Sequence, residues 1–243
     1  MKILALSGRK QSGKSLAGNF IIASLLSKLL ISKQTFIDKN GDIVVTDFFG
    51  NKSYSGIFSY NPLNTSNDDI VNSVYKKLQS HVAIYNFADA LKTDICINVL
   101  GMSYRNCYGT DQNKNELVNC FWPDTNKQMT AREVMQYVGT DIFRKMQNNV
   151  WADSALLKIK KNKTCNLAII TDCRFPNEVE AVKKSGGQII RLCRNQHGSV
   201  HSSEFALDKE NYDWSNFDHI IDNSETSINK YLSLLLPIVE TYI

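Results

Sequence analysis

The sequence predicts an α/β protein with a five-stranded parallel sheet flanked by helices. Three observations predict it. An apolar run at the N-terminus enters a glycine-rich turn and then a stretch of helical spacing. Four more apolar runs of strand length recur near 82–86, 166–171, 188–193 and 218–222, separated by helical patterns. The 243 residues, 43% hydrophobic and 21% charged, have the composition of an ordinary globular protein able to bury a large core.

The first strand is MKILALS, Met1 to Ser7, short and apolar as a buried strand should be. It runs into LSGRKQSGKS, which fits G-x-x-x-x-G-K-[ST] with Gly8, Gly13, Lys14 and Ser15. In that pattern the glycines let the backbone wrap a phosphate. The lysine reaches the outer phosphate oxygens and the serine hydroxyl serves Mg²⁺. LAGNFIIASLLSKLLI follows, with Leu16, Phe20, Ile21, Leu25, Leu29 and Leu30 on a helical stripe. A helix N-terminus then lies where an anion is wanted.

Next, QTFIDKNGDIVVTDFF (Gln34 to Phe49) reads as a hairpin about a two-residue Asn40-Gly41 turn. The polar and aromatic stretch Asn51 to Asp69 reads as a loop, and 34–80 together as an insertion. Its YSGIFSY segment, Tyr54 to Tyr60, is a candidate interface for a homodimer. HVAIYNFADALK is a strand entering a helix that continues to about Met102, with Asp89 expected as its N-cap. Residues 103–128 read as irregular. TAREVMQYVGTDIFRKM resumes helical spacing and WADSALLKIKK opens another helix; 104–165 forms a largely helical region. In the last third NLAIITD, GQIIRLCR and FDHIID are strands, and FPNEVEAVKKSGG and ETSINKYLSLLLPIVETYI helices. A polar loop over 195–214 is expected to act as a lid.

A formal charge of +4 and a pI near 8.6 are weak evidence for nucleic acid and better evidence for a site that meets phosphates. No basic run resembles a tail or arm, and no nucleic-acid partner is expected. The six cysteines form no CxxC and no zinc-finger spacing, so they read as reduced packing thiols. No stretch approaches eighteen apolar residues and the N-terminus lacks a signal-peptide pattern. A cytoplasmic protein is expected.

Beyond the loop, four constellations could carry chemistry. AIITDCRFPNE ends a strand on Asp172, where a phosphate-loop protein keeps an acid for Mg²⁺ or its water shell, with Arg174 and Glu178 just beyond. Lys92 lies one helical turn past Asp89. Thr140 and Arg144 share a helix face, beside a mid-helix Gly139 that signals close approach of a ligand or another backbone, and Trp151 and Asp153 follow. Arg191 and Arg194 close a strand ahead of the polar loop, where an arginine can neutralise charge on a transferring group.

These segments occur in the order GRKQSGKS, FADALK, TAREVMQYVGTDIFR, Trp151–Asp153, TDCRFPNEVEA, IIRLCR, HSSEFALD. The set resembles phage-type deoxynucleoside monophosphate kinases over nearly the whole chain, most weakly over 34–80. The resemblance implies a P-loop nucleotide kinase fold and the reaction ATP + dNMP → ADP + dNDP with Mg²⁺. It implies ATP phosphates on Gly8, Ser12, Gly13, Lys14, Ser15 and Leu16, with Lys10 nearby, and Mg²⁺ at Ser15 and Asp172. It implies a monophosphate site drawn from Lys92, Arg132, Gly139, Thr140, Arg144, Trp151, Asp153, Asp172, Arg174 and Glu178. Lys14, Arg174 and Arg194 would supply charge in the transition state. The hairpin insertion departs from compact relatives and leaves base choice open. A kinase for another small acceptor, such as a dephospho-coenzyme or a nucleoside, shares the same loop. So does an ATP-driven switch acting on nucleic acid, which has only the mild basic charge in its favour.

Overall fold

The computed structural model describes residues 1–29, 31–48, 55–58, 69–194, 205–224 and 226–243. In chain order the elements are β1 (Lys2–Ser7), α1 (Lys14–Lys28), β2 (Ser32–Ile37), β3 (Ile43–Phe48), β4 (Ser55–Phe58), α2 (Asp69–Gln79) and β5 (Val82–Tyr85). A π-helix (Ala90–Ile97), α3 (Tyr104–Tyr108), α4 (Asp111–Lys114), β6 (Leu117–Phe121), β7 (Gln128–Thr130), α5 (Ala131–Gln136), a second π-helix (Tyr137–Arg144) and α6 (Val150–Lys161) follow. The chain then runs through β8 (Leu167–Cys173), α7 (Pro176–Lys184), β9 (Gln188–Cys193), β10 (His219–Asp222) and α8 (Ile228–Glu240). It divides into two compact units, Met1–Tyr85 with Asn162–Ile243, and Asn86–Lys161.

The first unit holds the parallel sheet, in the order β10-β9-β1-β8-β5. All four neighbouring pairs are parallel, as the five apolar runs imply. Central β1 is apolar on both faces because it is covered on both: Leu4, Ala5 and Leu6 are fully buried. Ile21, Ile22 and Leu26 of α1 pack into the same core as Leu4, Leu6, Ile169 of β8, Ile190 of β9 and Leu235 of α8. From β1 the chain goes to the β5 edge and returns through β8, then crosses β1 to β9 and β10. Strand order therefore reverses beside β1, and its carboxyl end is where ligands of such sheets bind.

The expected hairpin is present, with β2 and β3 antiparallel and Ile37 opposite Ile43. Its turn differs from the two-residue one expected. Asp38 accepts hydrogen bonds from the N–H groups of Asn40 (2.8 Å) and Asp42 (2.9 Å), so a carboxylate organises a longer loop. A third strand, β4, pairs with β3 inside the stretch Asn51 to Asp69 that the sequence reads as a loop, and α2 follows, which the sequence reading left unassigned. Of the candidate interface, Ser55–Phe58 form β4, and Tyr54, Ser59 and Tyr60 lie outside the described residues. So do residues 195–204 of the expected lid.

In the second unit, residues 103–128 are not irregular. Ser103 caps α3 by accepting the Asn106 N–H at 3.1 Å, and Thr110 caps α4 by accepting that of Asn113 at 3.3 Å. β6 and β7 pair antiparallel. The elements are too short to show a period. Asp89 stands at the N-cap position of the first π-helix, as expected, but its side chain makes no capping bond there. Its carboxylate reaches backward to the Asn86 N–H (2.9 Å) and accepts the Tyr108 hydroxyl (3.0 Å). Thr130 and Glu133 form a reciprocal capping box at the start of α5. That helix then widens into the second π-helix rather than running on as one α-helix.

Candidate active site

The glycine-rich loop bridges β1 and α1. Gly13 has φ of 94°, and Gln11, though not a glycine, is also left-handed at 61°. A Cβ at Gly8 would lie 2.3 Å from Ser12 Oγ and 2.8 Å from the Leu192 carbonyl oxygen, so only glycine fits there. Lys14 is buried, and its Nζ donates to the carbonyls of Gly8 (2.7 Å) and Arg9 (2.6 Å) and more weakly to Ser12 Oγ (3.4 Å). The ammonium thus lies across its own loop. Ser12 is buried, whereas Lys10, Gln11 and Ser15 are exposed and Leu16 is half-buried.

Two residues far along the chain brace this loop. Asn223 Nδ2 donates to the Ser12 carbonyl at 3.0 Å, and the Tyr231 hydroxyl donates to the Gly13 carbonyl at 3.1 Å. Burial pushes the Tyr231 phenol well above its ordinary pKa, so it stays a donor at neutral pH. A third brace is ionic. Asp208 accepts from Arg9 Nε at 3.1 Å, pairs with Arg9 Nη2, and accepts from Arg191 Nη2 at 3.1 Å. Arg191 is 4% exposed, donates to Ser7 Oγ at 3.1 Å, and lies 5.5 Å from the Trp214 ring and 5.7 Å from Phe217. It is therefore a structural cation and not a partner of Arg194 in charge neutralisation. Arg194, the next arginine along, is exposed.

Asp172 sits at the carboxyl end of β8, next to β1. Ala5 is opposite Ile170 but Ser7 is opposite Cys173, so β8 carries one extra residue there. Such a bulge re-aims side chains and is common beside active sites. Asp172 and Arg174 are half-buried, and Glu178 is 2% exposed. Glu178 Oε2 accepts the backbone N–H groups of Arg174 (2.8 Å) and Phe175 (3.2 Å). Its carboxylate therefore fixes the turn that carries Arg174.

In the second unit both π-helices carry candidate residues: Lys92 on the first, Gly139, Thr140 and Arg144 on the second. A π-turn widens a helix locally and often marks a functional site. Lys92 Nζ lies 4.7 Å from the Tyr108 ring centroid, a cation–π contact. Gly139 marks a close approach, but of side chains: a Cβ there would be 2.6 Å from Leu91 Cδ2. Its carbonyl accepts the Trp151 indole N–H at 3.0 Å. Trp151 is 5% exposed and packs on Phe143, so it shapes the π-helix from within. Arg132 donates to Asn115 (2.9 Å) and Asp111 (2.8 Å), and exposed Asp153 accepts from Gln147 (3.2 Å).

All six cysteines are free thiols, as their spacing implies. Among the described residues no three or more His, Cys, Asp or Glu converge on a metal position, and no helix is long and apolar enough to cross a membrane. A Mg²⁺ bound with substrate phosphates keeps its own waters and needs only one or two protein oxygens. The exposed Ser15 hydroxyl and the Asp172 carboxylate on the bulge are of that kind.

A parallel sheet with a phosphate loop after its central strand, and an acid and arginine at the end of the adjacent one, defines the class as P-loop kinase-like. The profile of the deoxynucleotide monophosphate kinase family matches residues 2–233. The chain belongs to that family, and so to the phosphotransferases. It is 28% identical over 173 residues to an Acanthamoeba polyphaga mimivirus protein described as "Putative deoxynucleotide monophosphate kinase". That match covers 64% of this chain and 81% of the viral protein.

Proposed function

We propose that the protein transfers the γ-phosphoryl group of ATP to a deoxynucleoside monophosphate in the cytoplasm, with no nucleic-acid or membrane partner. The observation that carries this reading is the loop itself. Gly8 and Gly13 hold conformations that bend the backbone round an anion, at the start of α1 and one strand from Asp172 and Arg174.

In this reading the loop N–H groups from Gly13 to Leu16 hold the donor phosphates. Lys14 exchanges its loop carbonyls for phosphate oxygens. Ser15 and Asp172 hold Mg²⁺, which neutralises phosphate charge when bound. Arg174, its turn fixed by Glu178, meets the charge of the transferring group, and Arg194 adds to it. Lys92, Arg132, Thr140, Arg144 and Asp153 serve the acceptor, while Gly139 and Trp151 shape the π-helix that presents two of them. An acceptor phosphate is already ionised at neutral pH, so no general base is needed. Catalysis is then positioning and charge neutralisation.

A coupled ADP-release assay with ATP and Mg²⁺ tests this against dGMP, dTMP, dCMP, dAMP, GMP and dephospho-coenzyme A, each alone. ADP formation with one or more deoxymonophosphates is expected. Silence with all four, or turnover only on adding DNA or RNA, would overturn the reading.

A further inference from the structure

The carbonyls of Ser12 and Gly13 are held from outside the loop, and this has a consequence for the opposite side of each peptide. Among the described residues no peptide bond is cis, those of the loop included. In a rigid trans peptide the C=O and the following N–H point in opposite directions. Fixing the Ser12 carbonyl therefore fixes the Gly13 N–H, and fixing the Gly13 carbonyl fixes the Lys14 N–H. Asn223 Nδ2 holds the first at 3.0 Å and the Tyr231 hydroxyl holds the second at 3.1 Å. The Gly13 carbonyl also accepts the Ala17 N–H at 2.9 Å, the first turn of α1, so both its lone pairs are used. The Lys14 N–H, on the opposite side of that peptide, is thereby aimed out of the helix N-terminus, the end that favours an anion.

The two bracing side chains are themselves immobilised. Tyr231 is 2% exposed and Asn223 6%. The Asn223 backbone N–H donates to the Cys193 carbonyl at 2.8 Å, anchoring it to the end of β9. Its Oδ1 is buried without a hydrogen-bond partner, an unfavourable arrangement in itself, so the productive contact of this amide is the one to the loop. A Cβ on Gly13 would lie 3.2 Å from Asn223 Nδ2 and 3.3 Å from the Tyr231 ring. Glycine at 13 thus serves both the left-handed turn and the close approach of its braces.

We infer that Asn223 and Tyr231 are positioning residues that aim the Gly13 and Lys14 N–H groups at the donor phosphates. The inference rests on the loop being the ATP site. It assigns the β10–α8 junction a role in phosphate affinity, acting through the backbone and without touching the nucleotide's reacting atoms.

The test is equilibrium titration of wild type, Tyr231→Phe and Asn223→Ala with β,γ-imido-ATP, inorganic tripolyphosphate and adenosine, each with Mg²⁺. Tyr231→Phe removes one oxygen and keeps the ring packing. It should weaken imido-ATP and tripolyphosphate by a common factor, roughly 3–10-fold for one hydrogen bond, and leave adenosine unchanged. In steady state KM for ATP should rise while KM for the acceptor stays the same. Unchanged tripolyphosphate affinity would overturn the inference, and so would adenosine weakening in parallel, the mark of general damage. Should Asn223→Ala fail to fold, Tyr231→Phe decides alone. A wild type that binds neither imido-ATP nor tripolyphosphate would overturn the ATP-site reading and this inference with it.

Discussion

At the scale of single residues, charge and its neighbours decide the roles. Lys14 Nζ is satisfied by loop carbonyls, so the loop is held in shape with its cation already in place. Lys14→Ala should reduce phosphoryl transfer to background, at a stability cost of about 1–3 kcal/mol for the loop hydrogen bonds it removes. Arg174→Ala should lower kcat about 10²–10³-fold, as removal of a preorganised transition-state donor does. Both variants are checked by single-turnover kinetics beside a thermal melt, and near-normal turnover in either would misplace the site. The motif GRKQSGKS and the Asp172–Arg174 pair were legible from spacing alone. Asn223 and Tyr231 were not, because each acts on a partner some two hundred residues away, with no local pattern to betray it. Asp208 closes the HSSEFALD motif, but spacing gave no hint of its bond to Arg9.

At the scale of elements, legibility followed period and burial. The five strands announce themselves because each is a short apolar run, and β1 is buried on both faces. The second π-helix could not be read this way: residues 131–144 keep the apolar spacing of one α-helix, and the widening shows only in the backbone hydrogen bonds. Its glycine gives a direct test. Gly139→Ala would set a methyl 2.6 Å from Leu91 Cδ2, and should cost about 1–3 kcal/mol by overpacking. Urea unfolding measures this, and Leu91→Ala in the same chain should recover part of it. If Gly139→Ala proves neutral, the close packing of these helices is not what glycine is there for. The short elements α3, α4, β6 and β7 were lost to the sequence reading for a different reason. They are defined by caps and pairing rather than by any run long enough to have a period.

At the scale of the molecule, the first unit is tied together by a buried ion cluster. Asp208 joins Arg9 of the phosphate loop to Arg191 of β9, whose guanidinium lies against the rings of Trp214 and Phe217. Burial lowers the pKa of Arg191, yet arginine stays charged at physiological pH, so this cation needs its counter-ion at every pH where the fold survives. Asp208→Ala should destabilise by about 3–5 kcal/mol, since it leaves a buried guanidinium without its carboxylate. Asp208→Asn keeps the acceptor oxygen and should cost less. Denaturant titration of the two decides, and equal, small effects would mean that water readily replaces the carboxylate.

The bracing of the glycine-rich loop also bears on the order in which the fold can assemble. Gly13 and the Tyr231 hydroxyl that holds its carbonyl are 218 residues apart in sequence. The left-handed turn at Gly13 and the first turn of α1 are local, whereas this brace exists only once α8 has docked in the core beside α1. Closing so long a loop costs chain entropy that local turns do not. The loop is therefore locked in its final shape only as the first unit closes on itself.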